Sequence, residues 1–332
     1  MILTLTPNPS LDKTVELDAP LVPGAVQRAV RTSTEPGGKG VNISRALVAA
    51  GQETLAVLPG DDTDPVLTAL TELRVPHRGV PLGEALRTNI TVTDPAGTTT
   101  KINEPGPAFD EVRTEALVAV ALDATEGSSW AALAGSLPPG VPADFYAQVI
   151  GRLRSGLGPE APQIALDSSG PALARAVAAE PDLIKPNGEE LLELVTLLTG
   201  SSPRFSDGRT MEPEELESRP AEVLRLVRIA QDHGVRTALV TLGAHGALLV
   251  PDRPGDEVLR AWGPELLARS TVGAGDASLA GLLLAAQQGQ GPAGQLRQAA
   301  AQGRAAAALP GSVMPTPDDL DLDVVVVETL SD

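Results

Sequence analysis

Residues 163–198 read QIALDSSGPALARAVAAEPDLIKPNGEELLELVTLL, and this stretch decides the fold class. Two short apolar runs, Gln163–Asp167 and Leu183–Lys185, each precede a stretch rich in Ala and Leu. Strands that alternate with helices of this length indicate a parallel sheet covered by helices on both faces. We therefore predict strands over the two runs and helices over Pro171–Ala178 and Glu189–Leu198.

The same alternation extends over most of the chain. Further strands are predicted over Ile2–Thr6, Thr54–Leu58, Trp130–Ala134 and Thr237–Leu242. Further helices are predicted over Asn42–Ala50, Pro65–Leu73, Asp144–Arg154 and Ala221–His233. The run Trp130–Ala134 is apolar on both alternations, as a strand covered on both faces requires. The expected fold is α/β, with a central, mostly parallel sheet flanked by helices, in a single domain spanning residues 1–332.

Four segments interrupt this rhythm. Lys13–Asp18 and Ala25–Arg31 have the pattern of short strands, and Arg87–Asp94 and Thr98–Asn103 form a hairpin pattern around Pro95-Ala96-Gly97. No helix separates them, so we predict a small antiparallel sheet built from about residues 13–31 and 87–103. The pattern leaves open whether this sheet is a lid over a site or an edge decoration.

Composition excludes several function classes. The chain has 332 residues, 43 Asp and Glu against 25 Lys and Arg, a formal charge of −18 and no Cys. Without Cys there is no disulfide, thiol nucleophile or Cys-based metal site. The acidic charge and the 2% aromatic content argue against a nucleic-acid partner. Neither a leader nor an apolar run of roughly 20 residues is evident. We therefore expect a cytoplasmic protein with no membrane partner.

The strongest candidate for a reactive segment is Ser270-Thr271-Val272-Gly273-Ala274-Gly275-Asp276, which precedes an apolar helical run. Small residues let backbone N–H groups converge at a helix N-terminus, where they bind anions because they lack partners within the helix. Asp276 then falls in the first helical turn. It is either a cap that satisfies the helix or a general base beside an anion hole, and the second interpretation suits phosphoryl transfer to an alcohol.

A second candidate segment is Glu35-Pro36-Gly37-Gly38-Lys39-Gly40-Val41-Asn42. Three glycines around one lysine allow a small anionic ligand to approach the backbone closely. The segment is not a Walker A loop, because Gly40 follows Lys39 where that motif has Ser or Thr after its Lys. A glycine-rich turn with a solvated lysine explains the segment equally well.

A third candidate, Ile184-Lys185-Pro186-Asn187-Gly188-Glu189-Glu190, follows a predicted strand. In open α/β sheets, ligands bind outside the carboxyl ends of the strands. Asn187 and Glu190 are spaced to face the same way on a first helical turn, where they could hold a hydrated Mg²⁺. The same spacing fits an Asn N-cap with a capping-box Glu.

Individually weaker candidates also lie at predicted strand ends. They are Asp12 after the first strand, Arg87 at the start of the hairpin, Gly135-Ser136-Leu137-Pro138, and Thr241-Leu242-Gly243-Ala244-His245-Gly246. A parallel sheet brings many of these segments to one edge. The set carries more weight than any single segment.

With these segments in place, the sequence resembles the ribokinase-like sugar kinases of the phosphofructokinase B type. The most specific pieces occur in the family's order: Thr6-Pro7-Asn8-Pro9 with Asp12, Pro36-Gly37-Gly38-Lys39-Gly40 with Asn42, Gly135-Ser136-Leu137-Pro138, Lys185-Pro186-Asn187 with Glu190, and Val272-Gly273-Ala274-Gly275-Asp276. Within the family the chain looks most like bacterial 1-phosphofructokinases, on the runs Arg87-Thr88-Asn89-Ile90-Thr91 and Lys101-Ile102-Asn103-Glu104-Pro105-Gly106-Pro107.

The resemblance implies a reaction and its cofactors. It implies ATP- and Mg²⁺-dependent phosphorylation of fructose 1-phosphate at the C6 hydroxyl, giving fructose 1,6-bisphosphate. Tagatose 6-phosphate or fructose 6-phosphate is the alternative substrate within the family. A phosphosugar-binding sensor without catalysis is a more distant alternative. Separately from the resemblance, a small sheet with an apolar outer face often pairs with a second copy, so we expect a homodimer through the lid.

The resemblance also implies a role for each site residue. Asp276 is the base, and the amides of Gly273, Ala274 and Gly275 form the anion hole. The nucleotide side consists of Lys185, Asn187, Thr241, Gly243 and Gly246, and Glu190 orders Mg²⁺ through water. Sugar hydroxyls contact Asp12, Gly38 and Asn42, and the phosphate already on the sugar contacts Lys39 and Arg87, with Arg28 as a further contact from the lid.

Overall fold

The protein is described from a computed structural model that covers residues 1–252 and 255–330. The strands are β1 (Ile2–Leu5), β2 (Ser10–Leu17), β3 (Ala29–Gly37), β4 (Thr54–Pro59), β5 (His77–Val80), β6 (Arg87–Thr93), β7 (Thr99–Asn103), β8 (Trp130–Ala134), β9 (Gln163–Asp167), β10 (Leu183–Ile184), β11 (Thr237–Thr241), β12 (Ala247–Val250), β13 (Leu259–Trp262) and β14 (Val326–Thr329). The helices are α1 (Lys39–Ala49), α2 (Pro65–Glu72), α3 (Glu111–Ala124), α4 (Phe145–Leu157), α5 (Gly170–Val177), α6 (Gly188–Thr199), α7 (Pro213–Glu217), α8 (Pro220–Gln231), α9 (Ala274–Gln287) and α10 (Pro292–Ala308).

Ten strands form one large sheet, in the order β14-β13-β12-β11-β10-β9-β8-β1-β4-β5. Every pairing from β5 through to β11 is parallel, and the three pairings from β11 to β14 are antiparallel. The prediction of a central, mostly parallel sheet flanked by helices is therefore confirmed. The antiparallel pairings of β11, β12 and β13 follow from their connections, because no α-helix lies between these strands.

Both faces of the large sheet are buried, and successive residues of one strand enter different parts of the core. On β8, Leu133 packs in the cluster that contains residues of α4 and α5. Its neighbour Ala132 packs in the second cluster, with residues of α9 and α10. This double burial explains why β8 is apolar at every position, and why its bounds match the prediction.

The small sheet has the strand order β3-β2-β6-β7, and it is called the lid below. Its outer pairings, β2 with β3 and β6 with β7, are antiparallel as predicted. Its central pairing, β2 with β6, is parallel. Both strands follow parallel strands of the large sheet, β2 after β1 and β6 after β5, which accounts for their common direction.

The sequence misplaced one lid strand and overlooked several other elements. The expected strand over Ala25–Arg31 overlaps β3 only at its last three residues, because β2 pairs instead with the polar run that ends at Gly37. The short strands β5, β12 and β13 were not predicted, since long-range pairing rather than local pattern defines them. Helix α10 was also not predicted, because its Ala and Gln residues give weak periodicity.

Candidate active site

The predicted motifs meet at the carboxyl edge of the parallel strands. Asp167 is the last residue of β9, and Lys185 directly follows β10. The backbone N–H of Lys185 donates to Leu166 O at 3.1 Å, so this strand register brings the two side chains side by side. The prediction that a parallel sheet gathers the motifs therefore holds for this group.

Two lysines and two carboxylates form an ion cluster at this edge. Lys39 Nζ lies 2.7 Å from Asp167 Oδ1 and 2.8 Å from Glu190 Oε1. Lys185 Nζ lies 3.2 Å from the other oxygen of the same carboxylate, Asp167 Oδ2. Asp167 is completely buried, and the Lys185 side chain is only 4% exposed. Burial disfavours the charge on Lys39, but the Asp167 and Glu190 carboxylates outweigh it and raise the pKa of Lys39.

Asp276 lies in the first turn of α9 and is 7% exposed. The N-cap of that helix is Gly273, whose φ of 76° suits glycine, and no side chain caps it. The Asp276 carboxylate instead accepts a hydrogen bond of 2.8 Å from Asn42 Nδ2. Burial, and then the neighbouring Asp167 carboxylate, raise the pKa of Asp276 to about 6. The capping interpretation of Asp276 is therefore wrong, and the general-base interpretation remains a prediction.

Space for an anion at the start of α9 depends on its small residues. A side-chain carbon at Gly275 would lie 3.2 Å from Lys185 Nζ, so this backbone and the Lys185 ammonium are close neighbours. A side-chain carbon at Gly273 would lie 2.8 Å from Met314 Cε. The N–H of Ala274 is partly engaged, because it donates to Thr271 O at 3.4 Å. Gly275 is thus the position where the helix N-terminus and a lysine converge.

Asn187 and Glu190 form the capping box of α6. Asn187 Oδ1 accepts from Glu190 N at 2.8 Å, and Glu190 Oε2 accepts from Asn187 N at 3.0 Å. Since Glu190 Oε1 contacts Lys39, both of its carboxylate oxygens already have donors. The capping interpretation of this pair is confirmed. A magnesium role for Glu190 remains a prediction, and these contacts are compatible with it only through water.

A second polar cluster lies on the lid. Asp12 Oδ1 accepts hydrogen bonds from Ser10 Oγ at 2.7 Å and from Asn89 Nδ2 at 3.1 Å. Burial raises the pKa of Asp12, although these two donors and Arg87 act against that effect. A side-chain carbon at Gly37 would lie 2.1 Å from Asp12 Oδ2, so only glycine leaves room for this carboxylate.

A cavity of about 540 Å³ joins the lid cluster to the loop that leads into α9. Asp12 and Asn89 line the cavity from the lid, and Ser270, Thr271 and Val272 line it from the large sheet's side. The lid therefore covers a cavity that reaches toward the reactive segment. Of the two interpretations of the small sheet, this favours a lid over an edge decoration.

The remaining predicted residues are more dispersed. Arg87 Nη2 donates to Asn8 O at 2.9 Å, and it has no contact with Lys39 among the described residues. Gly38 is the N-cap of α1 and has a φ of 111°. Thr241 forms an isolated parallel β-bridge with Asn187. A side-chain carbon at Gly246 would lie 1.9 Å from Ala261 O.

Gly246 thus has a packing reason to be glycine. Gly243 opens the short 3₁₀ turn after β11, and a side-chain carbon there would lie 2.9 Å from Glu217 Oε2. Arg28 is exposed and has no hydrogen bond or ion pair within the described part of the chain. The structure does not bring Arg28 to the ion cluster.

Sequence reasoning missed two residues of these clusters. Asp167 ends a predicted strand but was not assigned to the site, and Asn89 was noted only as part of the Arg87-Thr88-Asn89 run. One signal was available for Asp167: a carboxylate that closes an otherwise apolar strand needs a partner of opposite charge. Nothing local identifies that partner, since Lys39 is 128 residues away.

A buried carboxylate beside a helix N-terminus and two ammonium groups is the arrangement of a phosphotransferase that acts on a hydroxyl. The carboxylate can accept the hydroxyl proton, and the cationic groups can stabilise the phosphoryl charge. The chain belongs to the pfkB family of carbohydrate kinases, whose model matches residues 6–319. Membership of this kinase family implies ATP as one substrate.

The chain is similar over nearly its whole length to proteins with related names. It is 34% identical over 328 residues to a 1-phosphofructokinase of Rhodobacter capsulatus, covering 96% of this chain and 94% of that protein. It is 30% identical over 326 residues to an ATP-dependent 6-phosphofructokinase isozyme 2 of Mycobacterium tuberculosis, covering 96% of this chain and 88% of that protein.

Among solved structures, phosphofructokinase-2 of Escherichia coli in complex with potassium matches with a TM-score of 0.79 and 28% identity, covering 96% of both chains. A ribokinase of Thermotoga maritima matches with a TM-score of 0.72 and 18% identity, covering 96% of this chain and 97% of that chain, so the predicted ribokinase-like fold is confirmed. No helix within the described ranges is long and apolar enough to span a membrane.

Proposed function

We propose that the protein transfers the γ-phosphoryl group of ATP to the C6 hydroxyl of fructose 1-phosphate, giving fructose 1,6-bisphosphate. The observation that carries the proposal is buried Asp276, hydrogen-bonded to Asn42 at the start of α9, with Lys185 beside Gly275. The name of the Rhodobacter capsulatus relative supports fructose 1-phosphate as the acceptor. The proposal treats the two sheets as one kinase unit in the cytoplasm, where ATP is available.

In this mechanism Asp276 orients the acceptor hydroxyl and takes its proton as transfer proceeds. With a pKa of about 6, the carboxylate is mostly ionised at neutral pH and is a stronger base than an ordinary aspartate. Asn42 holds one carboxylate oxygen and leaves the other for the hydroxyl. The amides of Gly273, Ala274 and Gly275, together with Lys185, stabilise the charge on the transferred group.

The donor chemistry is compatible with Mg²⁺ held mainly by water and ATP phosphates. The described residues contain no group of three or more His, Cys, Asp or Glu side chains arranged as a metal site. Mg²⁺ commonly uses only one or two protein carboxylates and keeps several waters. Glu190 would contact one of those waters. When bound, the ion neutralises phosphate charge; Asn187, Thr241, Gly243 and Gly246 line the nucleotide side.

The lid holds the acceptor sugar. Asp12, Gly38 and Asn42 bind hydroxyls, and Arg87 binds the phosphate already on the sugar. The resemblance assigns Lys39 to the same phosphate, but Lys39 Nζ contacts Asp167 and Glu190, so we reassign it to the phosphoryl group in transfer. The Arg87 guanidinium is already oriented by Asn8 O, at 2.9 Å, and by Glu104 O, at 3.2 Å. Arg28 is a further phosphate contact if a partner subunit brings it close. Closure of the lid excludes water and so limits ATP hydrolysis.

The test is a comparison of three acceptors with Mg²⁺ and ATP, read as ADP release. We expect kcat/KM for fructose 1-phosphate to exceed that for fructose 6-phosphate and tagatose 6-phosphate by at least about tenfold. Fructose 6-phosphate is the second candidate because the Mycobacterium tuberculosis relative is named a 6-phosphofructokinase. A preference for either 6-phosphate would overturn the proposed substrate. Binding of all three without turnover would indicate a sensor.

The lid is also the proposed dimer interface. Val26 is 99% exposed, Val30 62% and Ile102 57%, and all three belong to the lid strands or their connections. Exposed aliphatic side chains on one small sheet favour association with a second copy. We expect a dimer by light scattering, and Val30→Asp should shift it toward monomer.

A further inference from the structure

We propose that Asp167 is a positioning residue that holds Lys39 and Lys185 on the path of the transferred phosphoryl group and couples the two substrate subsites. The inference rests on the proposed function, because it takes Lys39 and Lys185 to act on the phosphates of that reaction. No role was assigned to Asp167 by the sequence.

The geometry gives each oxygen of one carboxylate to a different lysine. Oδ1 contacts Lys39 Nζ at 2.7 Å and Oδ2 contacts Lys185 Nζ at 3.2 Å. The lysines come from distant segments, the first residue of α1 and the residue after β10. Asp167 itself is fixed, because it pairs with Ala134 in the large sheet and is completely buried. A rigid carboxylate therefore sets the positions of two flexible side chains.

Those positions converge on the start of α9. Lys185 Nζ would be 3.2 Å from a side-chain carbon at Gly275, so its ammonium adjoins the helix N-terminus. Lys39 shares the Asp167 carboxylate with Lys185, so Asp167 holds both ammonium groups beside one another. Lys39 belongs to the glycine-rich segment 36–40 on the sugar side of the site, and its ammonium contacts Glu190 on the nucleotide side. Within the described part of the chain, the Lys39 ammonium has no hydrogen bond or ion pair with Arg87.

A carboxylate in an anion-binding site affects substrate binding and the chemical step in opposite directions, and the two effects can be measured separately. Its negative charge repels the phosphates of ATP, so it weakens ground-state binding. By fixing two ammonium groups, it places positive charge where the transition state needs it, without reorganisation during the reaction. Removing only the charge should therefore strengthen binding and slow the chemistry, whereas a purely structural residue would weaken both.

Asp167→Asn is the direct test, and Asp123→Asn is its matched control. The Asp123→Asn substitution also removes one negative charge. Asp123 is exposed, forms an ion pair with Arg78 and lies outside all the site segments. For Asp167→Asn we expect the Kd of Mg-ATP, measured by calorimetry without sugar, to fall about three- to tenfold. We expect kcat to fall about 100-fold. The control should leave both values unchanged. Unchanged kcat, or weaker ATP binding with lower kcat, would overturn the proposal.

A second variant keeps the proposal testable if Asp167→Asn does not fold. Lys39→Met leaves Asp167 paired with Lys185 alone. The readout is the ratio of the Kd values for the non-hydrolysable ATP analogue AMP-PNP without and with saturating fructose 1-phosphate, which measures the coupling between subsites. We expect the ratio in Lys39→Met to differ at least about threefold from that of the wild type. An unchanged ratio would refute the coupling role.

Failure of the proposed function is a different result. If the wild type phosphorylates fructose 6-phosphate instead, the proposed substrate is wrong. The same comparisons with that sugar then decide the role of Asp167.

Discussion

Replacing Asp276 by asparagine should abolish turnover and at the same time stabilise the fold. The carboxylate is buried, and its pKa is raised from 3.8 to about 6 by burial and by the Asp167 carboxylate. A raised pKa means that the fold favours the protonated form. The contribution of protonated Asp276 to the free energy of unfolding is fully present below pH 3.8, and it is lost as the pH rises through about 6.

The size of the effect follows from the shift. About two pKa units correspond to ~3 kcal/mol of unfolding free energy that the wild type has lost by neutral pH. An asparagine does not titrate and can keep the hydrogen bond from Asn42. The stability difference between Asp276→Asn and wild type should therefore grow as the pH rises from about 5 and reach ~3 kcal/mol at about pH 7.5.

The assay is urea unfolding of both proteins across this pH range, with ADP release measured on the same samples. Taking the difference removes the titration of groups that do not interact with Asp276. Asp123→Asn controls for the loss of one negative charge, since that carboxylate is exposed. A pH-independent difference, or a wild type that is the more stable protein at about pH 7.5, would refute the account of Asp276 as a strained buried base. Turnover by Asp276→Asn within about tenfold of wild type would refute its role as the base.

Three further predictions concern the pH profile of turnover, a glycine after β11 and the lid. The kcat/KM for the phosphosugar should fall about tenfold per pH unit below about pH 6, because Asp276 becomes protonated. Asn42→Ala should shift this acidic limb of the pH profile to higher pH, because it removes a hydrogen bond to the Asp276 carboxylate. A profile that is flat down to about pH 5 would contradict both predictions. Gly246→Ala should lower stability by at least ~3 kcal/mol in urea unfolding, because its side-chain carbon meets a carbonyl oxygen. Gly255→Ala is the control, because Gly255 has a similar positive φ but open space around it, and it should lower the free energy of unfolding by only ~1 kcal/mol. Equal losses of stability in the two variants would exclude a clash at Gly246. Asn89→Ala should raise the phosphosugar KM about tenfold through Asp12 and leave the ATP KM unchanged; a rise in the ATP KM alone would contradict this.

Local pattern was sufficient for the buried part of the fold. Trp130–Ala134 and Gln163–Asp167 were predicted with correct bounds, because a doubly covered strand is apolar at nearly every position. Strands that are defined by pairing with other strands were harder to predict from the local sequence. The lid strand β3 is mostly exposed and polar, and only its pairing with β2 identifies it.

The candidate site divides in the same way. Asp276 and Lys185 stood out because glycine-rich and strand-end motifs mark them locally. The pairing of Lys39 with Asp167 spans 128 residues, and the hydrogen bond from Asn42 to Asp276 spans 234. Such contacts depend on tertiary packing, so local sequence indicates candidate site residues but not which of them are partners.

The parallel pairing of β2 with β6 has a thermodynamic consequence. It places Asp12 and Asn89 side by side on the lid, whereas Asp276 and Lys185 belong to the large sheet. On the proposed assignment of the site, the catalytic centre is therefore shared between the lid and the large sheet. A sugar that contacts both would contribute its binding energy to holding them together. Under that proposal, acceptor recognition and assembly of the reactive geometry form one equilibrium, and a poor acceptor leaves ATP beside an incomplete centre.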